Sequence, residues 1–210
     1  VDDLSGGRLL VGLGAGWQER EHKAFGYDLL ERGPRFARYR DGVQVVSLLL
    51  HSDAPVSFKS DYFPLEGSIL LPRPKQKVRI VVGGNGPRRT LGLAAQFADE
   101  WNCTYQTPHR FRELSAALDA RLAERGRQPH EVKRTMMTGI ILGRESAELE
   151  RRLAGRSAES MRARGALVGS PAELREQLAE LEAAGLQRVM LQWLWLDDFE
   201  GMQALGKAVC

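Results

Sequence analysis

Cysteine is scarce in this chain of 210 residues, with only Cys103 and Cys210 present. Two thiols cannot build a disulfide framework, and neither has a neighbour at metal-ligand spacing. Cys103 falls in an apolar run, where a thiol packs as a small hydrophobe. The histidines (His22, His51, His109, His130) are scattered, with no pair four residues apart, so no metal centre is expected. Long apolar runs are missing too. Val43 to Leu50 is too short to cross a bilayer and is interrupted by Gln44 and Ser47. No signal-peptide pattern is present, and the first residue is Val. Nor is there an excess of one charge: 30 Lys and Arg against 27 Asp and Glu leave +3. No basic run interleaved with aromatics occurs, so a nucleic-acid partner is not expected. What remains is a globular chain expected in a reducing cytoplasm, away from membranes, with a small and preferably anionic ligand.

The most informative segment is Arg79 to Asn102, RIVVGGNGPRRTLGLAAQFADEWN. The β-branched run Ile80-Val81-Val82 breaks at Gly83-Gly84-Asn85-Gly86. Pro87 then opens a helical pattern with Leu91, Ala94, Ala95 and Ala98 on one side. A strand, a glycine turn and a helix in this order aim unpaired N–H groups and a helix dipole at whatever lies in front of the turn. Arg88 and Arg89 add positive charge there. The reading is a phosphate-bearing cofactor at the carboxyl end of a strand, although the same glycines suit a turn that binds nothing.

A second turn of this kind lies in Arg8 to Trp17, RLLVGLGAGW, where Gly12, Gly14 and Gly16 crowd the end of a short apolar strand. It is not a dinucleotide fingerprint. The third glycine of G-x-G-x-x-G would fall on Trp17, and Asp28 and Glu31 sit in a loop and not at a strand end. The glycines are better explained by close approach of a ligand ring or of neighbouring backbone. Glu19, Glu21 and His22 follow this turn and read mainly as solvated charges.

Strands and helices alternate along the chain, which predicts βαβ units and a parallel sheet. Strands are expected near 8–13, 79–84, 99–104, 134–142 and 187–195, and helices near 33–50, 87–97, 108–125, 146–164, 171–184 and 198–208. Thr107-Pro108 opens one helix, with Phe111, Leu114, Leu118 and Leu122 as its stripe and Gly126 as its stop. Ser170-Pro171 with Glu173 opens another as a capping box, ended by Gly185. Segment 54–78 departs from the alternation. Val56–Phe58 and Tyr62–Leu65 flank Ser60-Asp61 as a short antiparallel hairpin, read as an insertion in a single domain over 1–210. Trp193 and Trp195 alternate on the last strand and so share one face, either interior or helix-facing.

These residues resemble the luciferase-like monooxygenase superfamily, in particular its oxidoreductases that use the deazaflavin coenzyme F420. The matching pieces are DDLSGGRLLVGLGAGW, ERGPRFARY, SDYFPLEG with LPRPKQ, VVGGNGPRRTLGLAAQFADEWN, VGSPAELREQLAELEAAG and RVMLQWLW, in the family's order. The resemblance implies a (β/α)8 TIM barrel with an insertion where the hairpin lies. It also implies an incomplete barrel of about five of the eight βα units, the first three being absent. Such a barrel would leave two sheet edges unpaired, so the isolated chain is expected to be unstable or to pair, and the full-length form to be a homodimer.

By the same resemblance, Gly83 and Gly84 would give backbone N–H groups to the cofactor phosphate, with Asn85, Gly86 and Thr90 nearby. Gly14, Ala15 and Gly16 would line the ring system. Relatives that oxidise sugar phosphates carry a Glu where this chain has Trp17, and an Asn against the cofactor where it has Arg20. Trp17 therefore suggests an apolar or aromatic substrate, though an indole is as readily a packing residue. Trp101, Asn102 and Thr104 are further substrate candidates, Trp101 being equally suited to a core; Thr104 stands where those relatives hold substrate phosphate, without their lysines. The implied reaction is hydride transfer between the deazaflavin and a small organic substrate, with no catalytic residue assigned. FMN-dependent monooxygenation, a non-catalytic flavin-binding protein and an inactive fragment are the alternatives.

Overall fold

Burial follows the apolar pattern of the strands. In the computed structural model, which describes Val1–Val209, Ile80 and Val82 have no solvent exposure and Val81 is also buried. Cys210 lies outside the described residues. The chain forms two compact units, Val1–Trp101 with Leu122–Val132, and Asn102–Arg121 with the chain from Lys133 onward.

In the first unit a short helix α1 (Asp2–Ser5) leads to strand β1 (Leu10–Leu13), helix α2 (Glu19–Phe25) and the long helix α3 (Arg32–His51). A hairpin of β2 (Val56–Phe58) and β3 (Leu65–Ser68) follows, then β4 (Arg79–Gly83) and α4 (Arg89–Phe97). Strands β1 and β4 are parallel, with Leu10 opposite Arg79 and Leu13 opposite Val82. Helix α3 buries Tyr39, Val43 and Val45, and its last residue, His51, meets the Val78 carbonyl at 2.8 Å. Asp41, buried on the same helix, accepts a 2.6 Å bond from Ser60 Oγ, and this ties the hairpin loop to the helix. The antiparallel hairpin lies where the pattern places it, but its second strand begins at Leu65 and not at Tyr62. Ser60 Oγ instead accepts from the N–H groups of Tyr62 and Phe63 and turns those residues into loop.

Strand β5 (Glu100–Thr104) gives its first two residues to the first unit and its last three to the second. The Asp99 carboxylate accepts from Ile80 N–H, and the Asp99 N–H donates to the Ile80 carbonyl. The second unit continues with α5 (Pro108–Ala123), whose stripe residues Phe111, Leu114 and Leu118 are all buried. Strand β6 (Lys133–Leu142) follows, then α6 (Ser146–Leu153), α7 (Ala158–Ala163), β7 (Leu167–Gly169), α8 (Pro171–Ala183), β8 (Arg188–Gln192) and α9 (Phe199–Val209). Strand β6 pairs in parallel with β7 at Ile140–Leu142 and with β8 at Thr135–Gly139. The Ser170–Glu173 capping box forms as read.

Three expectations are corrected here. The helix read over 146–164 is two, because Ala154 (φ 50) and Gly155 (φ 80) both enter the left-handed region and Ser157 caps a fresh start by accepting from Ser160 N–H. The last strand ends at Gln192, so Trp193 and Trp195 lie beyond it. Their rings, 5.3 Å apart edge to face, enclose the guanidinium of Arg152 at 4.8 and 4.9 Å. Helix α2 lies where no helix was expected, and it is closed by Gly26 in the left-handed region. The alternation of parallel strands with helices is that of a (β/α)8 barrel, and β1, β4, β5, β6 and β8 are five barrel strands, so the barrel is incomplete.

Candidate functional site

Both glycine turns sit at the carboxyl ends of parallel neighbours, so they share one end of the first unit's strands. They are also close: a Cβ on Gly83 would lie 3.3 Å from the Leu13 carbonyl oxygen. Tyr39, buried on α3, donates its hydroxyl to the Leu13 carbonyl at 2.9 Å and reaches the Gly83 carbonyl at 3.3 Å. Burial pushes this phenol above its ordinary pKa, so it stays a donor at any working pH. One side chain thus clips the two corners together through their carbonyls and leaves their N–H groups to other partners.

The second corner is shaped by conformations that require glycine. Gly84 has φ 129, a region closed to side chains, and its carbonyl accepts a 2.9 Å bond from Trp101 Nε1. A Cβ on Gly86 would stand 2.8 Å from Thr90 Oγ1, so the threonine hydroxyl fills the space in front of that glycine. No side chain caps α4, which starts at this corner, and within its first turn the Leu91 N–H folds back to the Gly86 carbonyl at 3.1 Å.

Between the corners lies a cleft of about 560 Å³, lined by Ala15 and Gly16 from one and by Gly86 to Thr90 from the other. Arg32, Arg35, Arg88 and Arg89 line it, and no acidic side chain does. Phe36 forms part of the wall, with the Arg89 guanidinium 5.7 Å above its ring. Four cations and an uncapped helix start without a carboxylate are the chemistry that suits an anion. A second cleft, about 400 Å³ and more apolar, shares Ala15, Gly16 and Arg35 with the first and is walled by Leu13, Tyr39, Val43, Val46 and Phe63. His22 lines it, with Nδ1 2.8 Å from the Gln18 carbonyl and its ring packed where a side chain on Gly16 would sit.

The residues singled out in the sequence therefore separate. Gly14, Ala15, Gly16, Gly86 and Thr90 line the clefts, and Gly83, Gly84 and Asn85 form the half-buried turn behind them. Trp17 is 79% exposed and Arg20 is exposed on α2; neither lines either of these two clefts. Trp101 has no exposure, and its indole serves the Gly84 carbonyl from within the core. Arg32 and Arg35 were passed over in the sequence, although they stand three apart at a helix start without an acid among them. His22, read as a solvated charge, turns inward.

Asn102 and Thr104 belong to the second unit. Asn102 Nδ2 donates to Thr135 Oγ1 at 2.9 Å, and Thr104 carbonyl oxygen accepts from Gln106 Nε2 at 2.6 Å. Cys103, between them, faces the core, and burial pushes its thiol up to about 12. The next residue, Tyr105, escaped notice in the sequence. It holds φ 51, donates its hydroxyl to Gln192 Oε1 at 3.0 Å, and its N–H donates to the Met137 carbonyl. No group of three or more His, Cys, Asp or Glu among the described residues could hold a metal, and no described helix is long and apolar enough to cross a membrane.

Comparison with known proteins gives the family. The profile of the luciferase-like monooxygenase family matches residues 1–162. The chain is 27% identical over 247 aligned positions to the pyrimidine monooxygenase RutA of Stutzerimonas stutzeri (strain A1501), covering all of this chain and 67% of that protein. It is 36% identical over 101 residues to the F420-dependent glucose-6-phosphate dehydrogenase of Amycolatopsis mediterranei (strain U-32), covering 48% of this chain and 30% of that one. Among solved structures, an F420-dependent secondary alcohol dehydrogenase in complex with an F420-acetone adduct superposes with a TM-score of 0.75 at 22% identity, over 90% of this chain and 65% of that chain. The chain thus spans from under a third to about two thirds of the length of these relatives. With a family profile matched over most of its length and a fold to fit, the chain belongs to the luciferase-like monooxygenase family of oxidoreductases.

Proposed function

We propose that this chain holds the anionic part of coenzyme F420 and serves hydride transfer between that deazaflavin and a small organic substrate. The observation that carries the reading is the arginine-lined cleft at which the two glycine corners meet. The coenzyme phosphate would take the N–H groups of Gly84 and Gly86 and those at the very start of α4, with the Thr90 hydroxyl beside it. Arg88 and Arg89 would neutralise its charge, and Arg32 and Arg35 would close the opposite side. When bound, the deazaflavin supplies hydride exchange at its central-ring carbon; the chain supplies anchoring, orientation and a dry wall.

The choice of F420 is supported by the 36% local identity to an F420-dependent dehydrogenase. FMN is the second reading, because a relative aligned over the whole chain is a monooxygenase and a phosphate corner of this kind accepts either coenzyme. Fluorescence titration with F420 and with FMN separates them. Binding of F420 that weakens about tenfold or more in Arg88→Ala/Arg89→Ala supports the proposal, given the worth of charge-assisted hydrogen bonds. Tighter binding of FMN overturns the coenzyme choice, and binding of neither overturns the site.

A further inference from the structure

The second unit carries a polar corner that the cofactor site does not use. On β6 and β8, Met137 lies opposite Met190 and Gly139 opposite Gln192, so these residues share one face of the pair. Asn102 joins that face, since its Nδ2 reaches Thr135 Oγ1 and lies 3.7 Å from Met190 Sδ. Tyr105 leans over it from the end of β5. Its φ of 51 is costly for an aromatic residue, yet the surroundings enforce it. A Cβ on Gly139 would fall 2.8 Å from the tyrosine hydroxyl, and one on Gly165 would fall 2.6 Å from Gln106 N. One glycine on β6 and one in the turn before β7 thus make room for one strained tyrosine.

The result is a hydrogen-bonding pair with unspent capacity. Tyr105 Oη gives its single hydrogen to Gln192 Oε1, so its lone pairs remain acceptors and the two Nε2 hydrogens of Gln192 remain donors. Neither side chain has another hydrogen-bond partner among the described residues. An acceptor beside a donor is complementary to an N–H beside a C=O. Met190, partly exposed next to Gln192 on the same face, offers a soft contact for the face of a ring.

We propose that the Tyr105–Gln192 pair is a binding site for a small planar ring presenting an amide, lactam or imide edge. The site stands apart from the coenzyme cleft and is testable without any coenzyme. Uracil is the probe, and 1,3-dimethyluracil, which keeps the carbonyls and loses both N–H groups, is the control. Binding is followed by 1H–15N shifts, read at the Gln192 side-chain amide and the Tyr105 backbone amide. Uracil is expected to shift both and to bind about tenfold more tightly than its dimethyl derivative. Gln192→Met is expected to weaken uracil binding about tenfold and Tyr105→Phe about threefold, the range of one hydrogen bond lost. Gln192 is exposed, so its variant is expected to melt with the parent. Equal affinity for the two pyrimidines, no shift at either residue, or undiminished binding by Gln192→Met overturns the proposal. Failure here with F420 bound normally leaves the coenzyme reading standing, and uracil binding without coenzyme binding does the reverse.

Discussion

Gly84→Ala tests the second corner most sharply, because two separate penalties meet at that residue. Its φ of 129 lies where only glycine is comfortable, and a side chain there costs about 1–3 kcal/mol. The new methyl would also lie 3.2 Å from Thr90 Cγ2, a contact that a small shift of the threonine relieves. Backbone strain should therefore dominate, lowering Tm by roughly 2–12 °C for a chain of this size. Thr90→Ser separates the two penalties, since it removes the crowded methyl and leaves φ alone. Gly84→Ala/Thr90→Ser is expected to keep most of the loss when both variants are melted by circular dichroism beside Thr90→Ser alone. Full recovery in the double variant would show that crowding, not backbone conformation, reserves this position for glycine. A Gly84→Ala protein as stable as the parent would refute both accounts.

Other outcomes follow from the same geometry. Tyr39→Phe removes the clip on the Leu13 and Gly83 carbonyls, and urea unfolding should show a loss of about 1–3 kcal/mol, the cost of leaving buried acceptors unpaired. Glu148, held by Arg144 and Arg152, has its carboxyl drawn from 4.5 down to about 2, first of all by the hydrogen bonds from Arg144. A lowered folded-state value stabilises fully above the unfolded carboxyl's pKa and is lost as pH falls from there toward 2. Glu148→Gln should accordingly lower Tm at pH 7 and shrink the difference from the parent across that acid window. Cys103 should resist a thiol reagent at neutral pH in a Cys210→Ser background and react at the rate of unfolding; fast labelling of the folded protein would contradict its burial.

The sequence was most legible where local chemistry and burial agree. Ile80 to Gly86 announced strand and turn because a β-branched run met glycines, and the Ser170–Glu173 box announced α8 because both capping partners are local. It was less legible where a distant partner decides. Trp101, a substrate candidate read also as a core residue, proves to be core, and only the fold shows its Nε1 on the Gly84 carbonyl. Trp193 and Trp195 carried the strand pattern past Gln192, but their rings answer to Arg152, which is fixed by Glu148, Asp198 and the Leu142 carbonyl. The break at Ala154–Gly155 was signalled by a glycine followed by a capping serine, outweighed by the helical periodicity around it. Tyr105 gave no local sign, because its strain depends on Gly139 and Gly165 far along the chain.

The central claim is that the glycine corners at Gly14–Gly16 and Gly83–Gly86 act as one anion receptor. The most direct measurement is the backbone amide spectrum during titration with F420, following Gly16, Gly84 and Gly86 together. The account predicts that the resonances of both corners move along one binding curve and that the curve weakens as salt is raised. Movement at one corner alone, or at neither, would contradict it.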